Sequence, residues 1–195
     1  MQYLTEQQNI NKQKYIQKMK RIIYITGLVL CITTAVSAQD ADNDYLKHVK
    51  TMDSTIETLY SVISGEKGEA RDWDLFRYLF RPEAKLIPSG KNRQGVMGIR
   101  YMTADDYVTN SGKWLEENGF FEKELSRKVQ TFGNVTHVFS SYESFRSEAD
   151  EKPFARGINS IQLYDDGNRW WIVNIYWTGE TPENPIPKKY LPKSE

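Results

Sequence analysis

The chain has 195 residues, 39% of them hydrophobic and 13% aromatic, the composition of one globular domain with appendages. Lysine plus arginine and aspartate plus glutamate each number 26, so the bulk charge excludes the strongly basic footprint of a nucleic-acid binder. With a single cysteine, Cys31, the fold must rest on its hydrophobic core without disulfides.

Residues 1–18 are polar, lack a clear period and precede a second methionine, Met19. Lys18, Lys20 and Arg21 flank the apolar run IIYITGLVLCITTAV, and Val36-Ser37-Ala38 supplies small residues just before Gln39, the grammar of a secretory signal peptide. The run is shorter than a membrane span needs. The expected organisation is a polar extension plus signal peptide over 1–38 with the start at Met19, a tether over 39–50, a domain over 51–180 and a proline-rich extended tail over 181–195. Cleavage after Ala38 leaves 21 basic against 25 acidic residues and an exported domain, periplasmic or secreted, with no membrane partner.

Tyr45, Val49, Met52, Ile56, Leu59, Tyr60 and Ile63 recur at helical spacing up to Gly65 and predict an amphipathic helix with one buried stripe. Asp72 suits the N-cap of a short second helix with the aromatic face Trp73, Phe76 and Phe80, ended by Pro82. Asp72 has a second reading as a catalytic carboxylate. Lys85 to Pro88 reads as a short strand, and residues 90–102 as a loop or hairpin. Thr103-Ala104-Asp105-Asp106 resembles a capping box opening a third helix that stops at Gly119.

Two strands follow, 120–132 and 135–147, turning at Gly133-Asn134. Pairing Phe132 with Val135 puts Leu125, Arg127 and Val129 on one face with Val138, Ser140 and Tyr142, and His137 and Phe139 on the other. Two more apolar runs between Ala155 and Trp177 flank Asp165-Asp166-Gly167-Asn168 and predict a long hairpin. If Asp165 lies opposite Asn168, Leu163 pairs with Trp170. One face then carries Asn159, Ile161, Leu163, Trp170, Ile172, Asn174 and Tyr176, and the other Trp171, Val173, Ile175 and Trp177.

The first face reads as an apolar wall ending in two amides and a phenol, the usual construction of a small-molecule pocket, or alternatively as the polar cap of a filled core. The residues expected to hold a ligand are Trp73, Phe76, Ser140, Tyr142, Asn159, Trp170, Ile172, Asn174 and Tyr176. The catalytic candidates are Asp72 as base with Tyr142 or Tyr176 as electrophile. The opposite face, with His137, Phe139, Trp171 and Trp177, is an apolar patch suited to a homodimer interface. No cluster has metal-ligand spacing, no glycine-rich loop follows a strand, and no nucleophile elbow is present, so neither metal nor cofactor is expected.

Three N-terminal helices followed by four long strands predict an α+β fold, with helices packed on a strongly curved antiparallel sheet. The order, with ISGEKGEARDWDLFRYLFRPEAKLIP near the front and GNVTHVFSSYESF and DDGNRWWIVNIYW at the back, resembles bacterial nuclear transport factor two-like proteins over about residues 50–180. That superfamily includes ketosteroid isomerase, scytalone dehydratase and polyketide cyclases. The resemblance implies a cone-shaped half-barrel enclosing a pocket, a dimer through the outer sheet face, and Trp170, Ile172, Asn174 and Tyr176 pointing into the pocket. It also marks a departure. The isomerases use a pocket aspartate as base, whereas the wall mapped here has hydrogen-bonding groups but no base, unless Asp72, Asp105 or Glu143 turns inward. The leading expectation is an exported small-molecule-binding domain. The alternatives are a lyase or isomerase and a non-catalytic dimeric interaction module.

Overall fold

The computed structural model describes residues 44–193, and the expected signal peptide, cleavage site and start at Met19 lie outside them. Thr51 sets the first helix, α1 (Met52–Val62), through a reciprocal box. Its hydroxyl accepts from the Ser54 N–H at 3.0 Å, and the Ser54 hydroxyl accepts from the Thr51 N–H at 3.1 Å. The apolar stripe read as one helix from Tyr45 is therefore divided: a 3-10 turn, Lys47–Val49, comes first, with Val49 fully buried.

Asp72 caps the short helix α2 (Trp73–Tyr78), its carboxylate accepting from the Leu75 N–H at 2.8 Å. The strand expected over 85–88 is longer, β1 (Phe80–Lys91). Pro82 sits where the pairing of β1 is irregular, between Phe80 and Lys85, the part of a strand that tolerates a missing N–H. A short strand, β2 (Met97–Ile99), folds back on β1.

The third helix is two pieces, α3 (Ala104–Tyr107) and α4 (Lys113–Asn118), joined by a π turn over Val108–Gly112. Thr103 and Asp106 form the expected capping box, and Gly119 ends the segment at φ +70°. Gly112 is small for a reason: a Cβ there would lie 3.1 Å from the indole of Trp73.

The remaining strands are β3 (Phe121–Phe132), β4 (Val135–Phe145), β5 (Ala155–Asp165) and β6 (Trp170–Gly179). With β1 and β2 they form one curled, open six-stranded sheet in the order β2-β1-β6-β5-β4-β3. The sheet is mixed, which corrects the antiparallel expectation. β1 runs parallel to β6, because the long connection through α3, α4 and the β3–β5 meander returns β6 beside β1 in the same direction. All other pairs are antiparallel.

Two register breaks decide which side chains face the helices. The β3–β4 ladder runs as expected from Phe132–Val135 to Arg127–Ser140, then slips so that Glu124 faces Tyr142 and Glu122 faces Ser144. In the β5–β6 hairpin the loop is wider than expected and Asp165 pairs with Trp170, so Leu163 faces Ile172 instead of Trp170. The slip between Gln162 and Leu163 then makes Val173 the extra residue, and Ile161 faces Ile175 while Asn159 faces Trp177.

Between sheet and helices lies the core, with Ile56, Phe76, Leu79, Val138, Ile161 and Ile172 all essentially inaccessible to solvent. One buried cation ties its lower end. Arg71 donates from Nε to the Ile63 carbonyl at 3.2 Å, and from Nη2 to the Gly65 and Leu115 carbonyls at 2.6 and 3.4 Å. It thereby satisfies the carbonyls that the ends of α1 and α4 leave open. A Cβ on Gly65 would come 2.5 Å from the same guanidinium.

The tail after β6 packs on the other side of the sheet. Ile186 is buried, its N–H donating to Glu180 at 2.7 Å, and Tyr190 sets its ring 4.9 Å from Phe139 while its carbonyl accepts from the Ser141 hydroxyl at 2.6 Å.

Candidate functional site

The concave side of the sheet and the helices enclose a cavity of about 300 Å³. Its apolar wall comes from Leu59 of α1 and Ile63 just after it, Phe76 of α2, Leu86 of β1, Phe120, and Ile175 and Trp177 of β6. Its polar groups are Glu122, Tyr142, Ser144, Asn159, Tyr107 and Ser111. At one side stand Trp114 of α4 and Phe154 of the β4–β5 loop, both well exposed, with the Arg146 guanidinium 4.3 and 4.0 Å from their ring centres. The guanidinium thus clamps two aromatic walls across the edge of the cavity.

Among the described residues, Glu122 is the only carboxylic acid on this lining. Asn159 donates to its Oε1 and Ser144 to its Oε2, both at 3.3 Å, and both donors are neutral. Its remaining accessible surface faces the cavity and a groove beside α1 lined by Glu57, Tyr60 and Ser64. Burial without a cationic partner pushes the carboxyl up from 4.5 to about 7, and the hydrogen bonds from Asn159 and Ser144 pull only part of the way back.

Asn159 also donates to the Tyr60 hydroxyl at 3.1 Å, and Tyr60 pairs with Ser140 at 2.7 Å. Ser140 reaches Glu124 at 2.5 Å, and Glu124 is ion-paired with Arg127, which extends to Asp53 on α1. The cavity carboxyl is therefore one end of a polar chain running between α1 and the sheet to the surface.

Tyr142 and Tyr107 contribute phenols to the cavity, and neither hydroxyl has a hydrogen-bond partner among the described residues. Burial first, and the nearby Glu122 charge second, raise both phenols above their ordinary range, so they remain O–H donors at neutral pH. Gly157 makes room for Tyr142, since a Cβ there would meet the phenol and also lie 2.5 Å from the Thr178 carbonyl.

Of the residues expected to hold a ligand, Phe76, Tyr142 and Asn159 lie together on the cavity lining. Ser140 sits one step behind it in the polar chain, and Trp73 packs edge-on to Phe76 while donating to Glu116 at 3.0 Å. Trp170 and Ile172 belong to the core near the hairpin turn. Asn174 and Tyr176 are corrected: the extra residue Val173 turns them to the convex face, where Tyr176 is 43% exposed. Asp72 stands outside the cavity lining, engaged by the Leu75 N–H and by the Tyr45 hydroxyl at 3.1 Å.

The same bulge corrects the patch on the other face. Trp177 points into the cavity, Phe139 is covered by Tyr190, and Trp171 lies under Arg169, whose guanidinium is 3.5 Å from its ring centre. His137 pairs with Ser160 at 2.9 Å. These four side chains do not form one bare apolar surface.

Sequence reasoning missed Glu122, Glu124, Tyr60, Tyr107 and Trp177. A straight two-residue period places Lys123 and Leu125 inward in place of the two glutamates, and nothing in the pattern FEKELSRK marks Leu125 as the extra residue. Tyr60 was legible as an inward stripe residue, but its partners were not.

No family model and no curated protein sequence matches this chain. Solved structures do. A protein of unknown function from Mycobacterium tuberculosis gives a TM-score of 0.50 at 10% identity, covering 71% of this chain and 80% of that one. A protein of unknown function with a cystatin-like fold from Nostoc punctiforme gives 0.49 at 10% identity over 66% and 87% of the two chains. A nuclear transport factor two-like protein of unknown function from Silicibacter pomeroyi gives 0.48 at 13% identity over 69% and 97%. With the first of these the chain shares its α+β fold, helices packed on a curled open sheet, and at such identity the likeness is one of fold alone.

The raised carboxyl gives stability a definite pH dependence. Because Glu122 holds its proton more tightly folded than unfolded, its contribution is fully present below about 4.5 and is lost as pH rises through about 7. The loss is at most about 3 kcal/mol. Urea unfolding between pH 4.5 and 8 should show this decline, and Glu122→Gln should flatten it. An unchanged slope in the variant would place the titration elsewhere.

Proposed function

We propose that the domain is exported and binds a small, mostly apolar molecule in the 300 Å³ cavity, with Glu122 meeting its polar end. The observation that carries this reading is a carboxyl set among Phe76, Phe120, Ile175 and Trp177 with only neutral hydrogen-bond donors. Burying such a group is costly, and a ligand hydroxyl, amine or carbonyl would supply the missing partner. Export is supported by the Lys18 to Gln39 sequence. Protein recovered from cells should then begin at Gln39 by intact mass, and a chain still carrying residues 19–38 would remove the export half of the proposal.

The binding half is tested with a neutral, environment-sensitive naphthylamine probe. Saturable enhancement should occur at micromolar concentrations, and Ile175→Trp, which fills the cavity from its apolar wall, should weaken binding about tenfold or more, while Val173→Trp on the convex face should not. Equal binding by both variants would mean that the probe sits elsewhere.

A second reading, a lyase or isomerase, is favoured by one arrangement: a carboxyl raised to about 7 shares the cavity with two phenols free to donate. On a cyclic β,γ-unsaturated ketone, Glu122 would take the α-proton as its carboxylate. Tyr142 or Tyr107 would hydrogen bond the developing enolate oxygen, and the same carboxyl would return the proton to the γ-carbon. For such a substrate kcat/KM should rise with pH through about 7. Glu122→Gln should lower it by about 10²-fold or more. A profile flat from pH 5 to 8 would remove Glu122 as the base.

A further inference from the structure

From Lys85 to Arg100 the chain departs from the charge balance of the whole. No acidic residue occurs between Glu83 and Asp105, while Lys85, Lys91, Arg93 and Arg100 all do. The rest of the described chain carries more acids than bases. All four cations are exposed. Lys91 and Arg93 have no ion-pair partner among the described residues, and the charge opposing Lys85 and Arg100 is that of Asp106.

Beside these cations stand apolar side chains that the fold leaves in water. Val96 and Met97 are each 61% exposed, Ile99 51% and Tyr101 64%. In the β1–β2 hairpin Lys91 faces Met97 and Ser89 faces Ile99, so cation and apolar groups share one face, while the other face is bared by the facing pair Gly90 and Gly98. The tip is fixed rather than loose. The Asn92 side chain accepts from the Gln94 and Val96 N–H groups, both at 3.0 Å, its carbonyl accepts from Gly95 at 2.9 Å, and Gly95 takes the positive φ of +78° that the turn needs.

We propose that this hairpin docks the protein on an anionic lipid surface, with Val96, Met97 and Ile99 entering the headgroup boundary and Lys91, Arg93 and Arg100 pairing with lipid phosphates. One property favours a bilayer over an acidic protein: long apolar chains beside cations match the layering of hydrocarbon below phosphate. A rigid tip loses little conformational freedom on insertion. The acidic remainder of the molecule would be repelled by the same surface, which orients the hairpin towards it.

The test is co-sedimentation of the chain with vesicles of phosphatidylcholine alone and of phosphatidylcholine with phosphatidylglycerol at about 7 to 3. Binding is expected only to the anionic vesicles, and weaker at high salt. Lys91→Glu with Arg93→Glu should weaken it at least about tenfold. Val96→Ser with Met97→Ser should weaken it about tenfold while leaving its salt dependence in place. These positions are exposed loop and edge sites, so thermal melts of the variants should match the parent, and Lys152→Glu in the β4–β5 loop should bind as the parent does. Absence of binding, equal binding to both vesicle types, or variants that bind like the parent would overturn the proposal. So would tighter association with polyglutamate than with the anionic vesicles, which would make the partner an acidic polypeptide.

Discussion

A β-strand presents its side chains alternately to two faces, and a sheet with one buried face can change which set faces inward only by inserting an unpaired residue. This protein does so on β3 and on β6, two of the strands that build its cavity. On β3 the slip at Leu125 sends Glu122 and Glu124 inward, where an unbroken period would have sent Lys123 and Leu125. On β6 the slip at Val173 brings in Ile175 and Trp177 and turns Asn174 and Tyr176 away. Each break forfeits ladder pairing locally. In return the concave face gains the Glu122 carboxyl and the Trp177 indole at positions that regular strands would have filled with the Lys123 ammonium and the Tyr176 phenol.

The two glutamates admitted by the first bulge meet different surroundings. Glu124 has the Arg127 guanidinium 2.5 Å away, and Arg127 continues to Asp53. Glu122, two residues earlier on the same face, has only the Asn159 amide and the Ser144 hydroxyl. Hydrogen bonds from neutral donors offset a carboxylate's desolvation less than an ion pair does, and the carboxyl responds by holding its proton up to about 7. A chain of hydrogen bonds through Asn159, Tyr60 and Ser140 connects the two sites. A change in protonation of Glu122 alters what Asn159 can accept or donate, and Asn159 orients the Tyr60 hydroxyl.

How far this could be read from the sequence follows from the range over which each feature is determined. Caps are local, and Thr103 with Asp106, Asp72 with Leu75, and Gly119 at positive φ are where the residue types put them. The β3–β4 turn is local too, and Phe132 faces Val135. The β5–β6 loop illustrates the limit. An Asp-Gly pair suggests a two-residue turn, but the Asp165 and Asp166 carboxylates accept from Gly167, Asn168 and Arg169 N–H groups and stabilise a wider loop. That displaces the pairing by two, which keeps every face assignment near the turn. The bulge farther along displaces it by one, which reverses Asn174, Tyr176 and Trp177 together. Parallel pairing of β1 with β6 depends on how the intervening chain returns and leaves no mark within either strand.

Core packing in this domain is close around Ile56, Leu79, Val138 and Ile161, so the cavity beside them is a departure that the same fold could have avoided with larger side chains at Leu86 or Ile175. The uncompensated carboxyl of Glu122 is a second departure, and it lies on that same surface. Neither helps the chain fold, and each costs stability on its own. Local rules are broken at this one place and obeyed around it, which is the pattern that supports the proposed ligand site. The β1–β2 hairpin follows the same logic at the surface. Overall neutrality hides it, because the equal totals of acids and bases are the sum of an acidic body and a basic, apolar ribbon. Exposed valine, methionine and isoleucine beside unpaired cations gain nothing from water, and their arrangement on an ordered turn is economical only in contact with a surface that is anionic outside and apolar beneath.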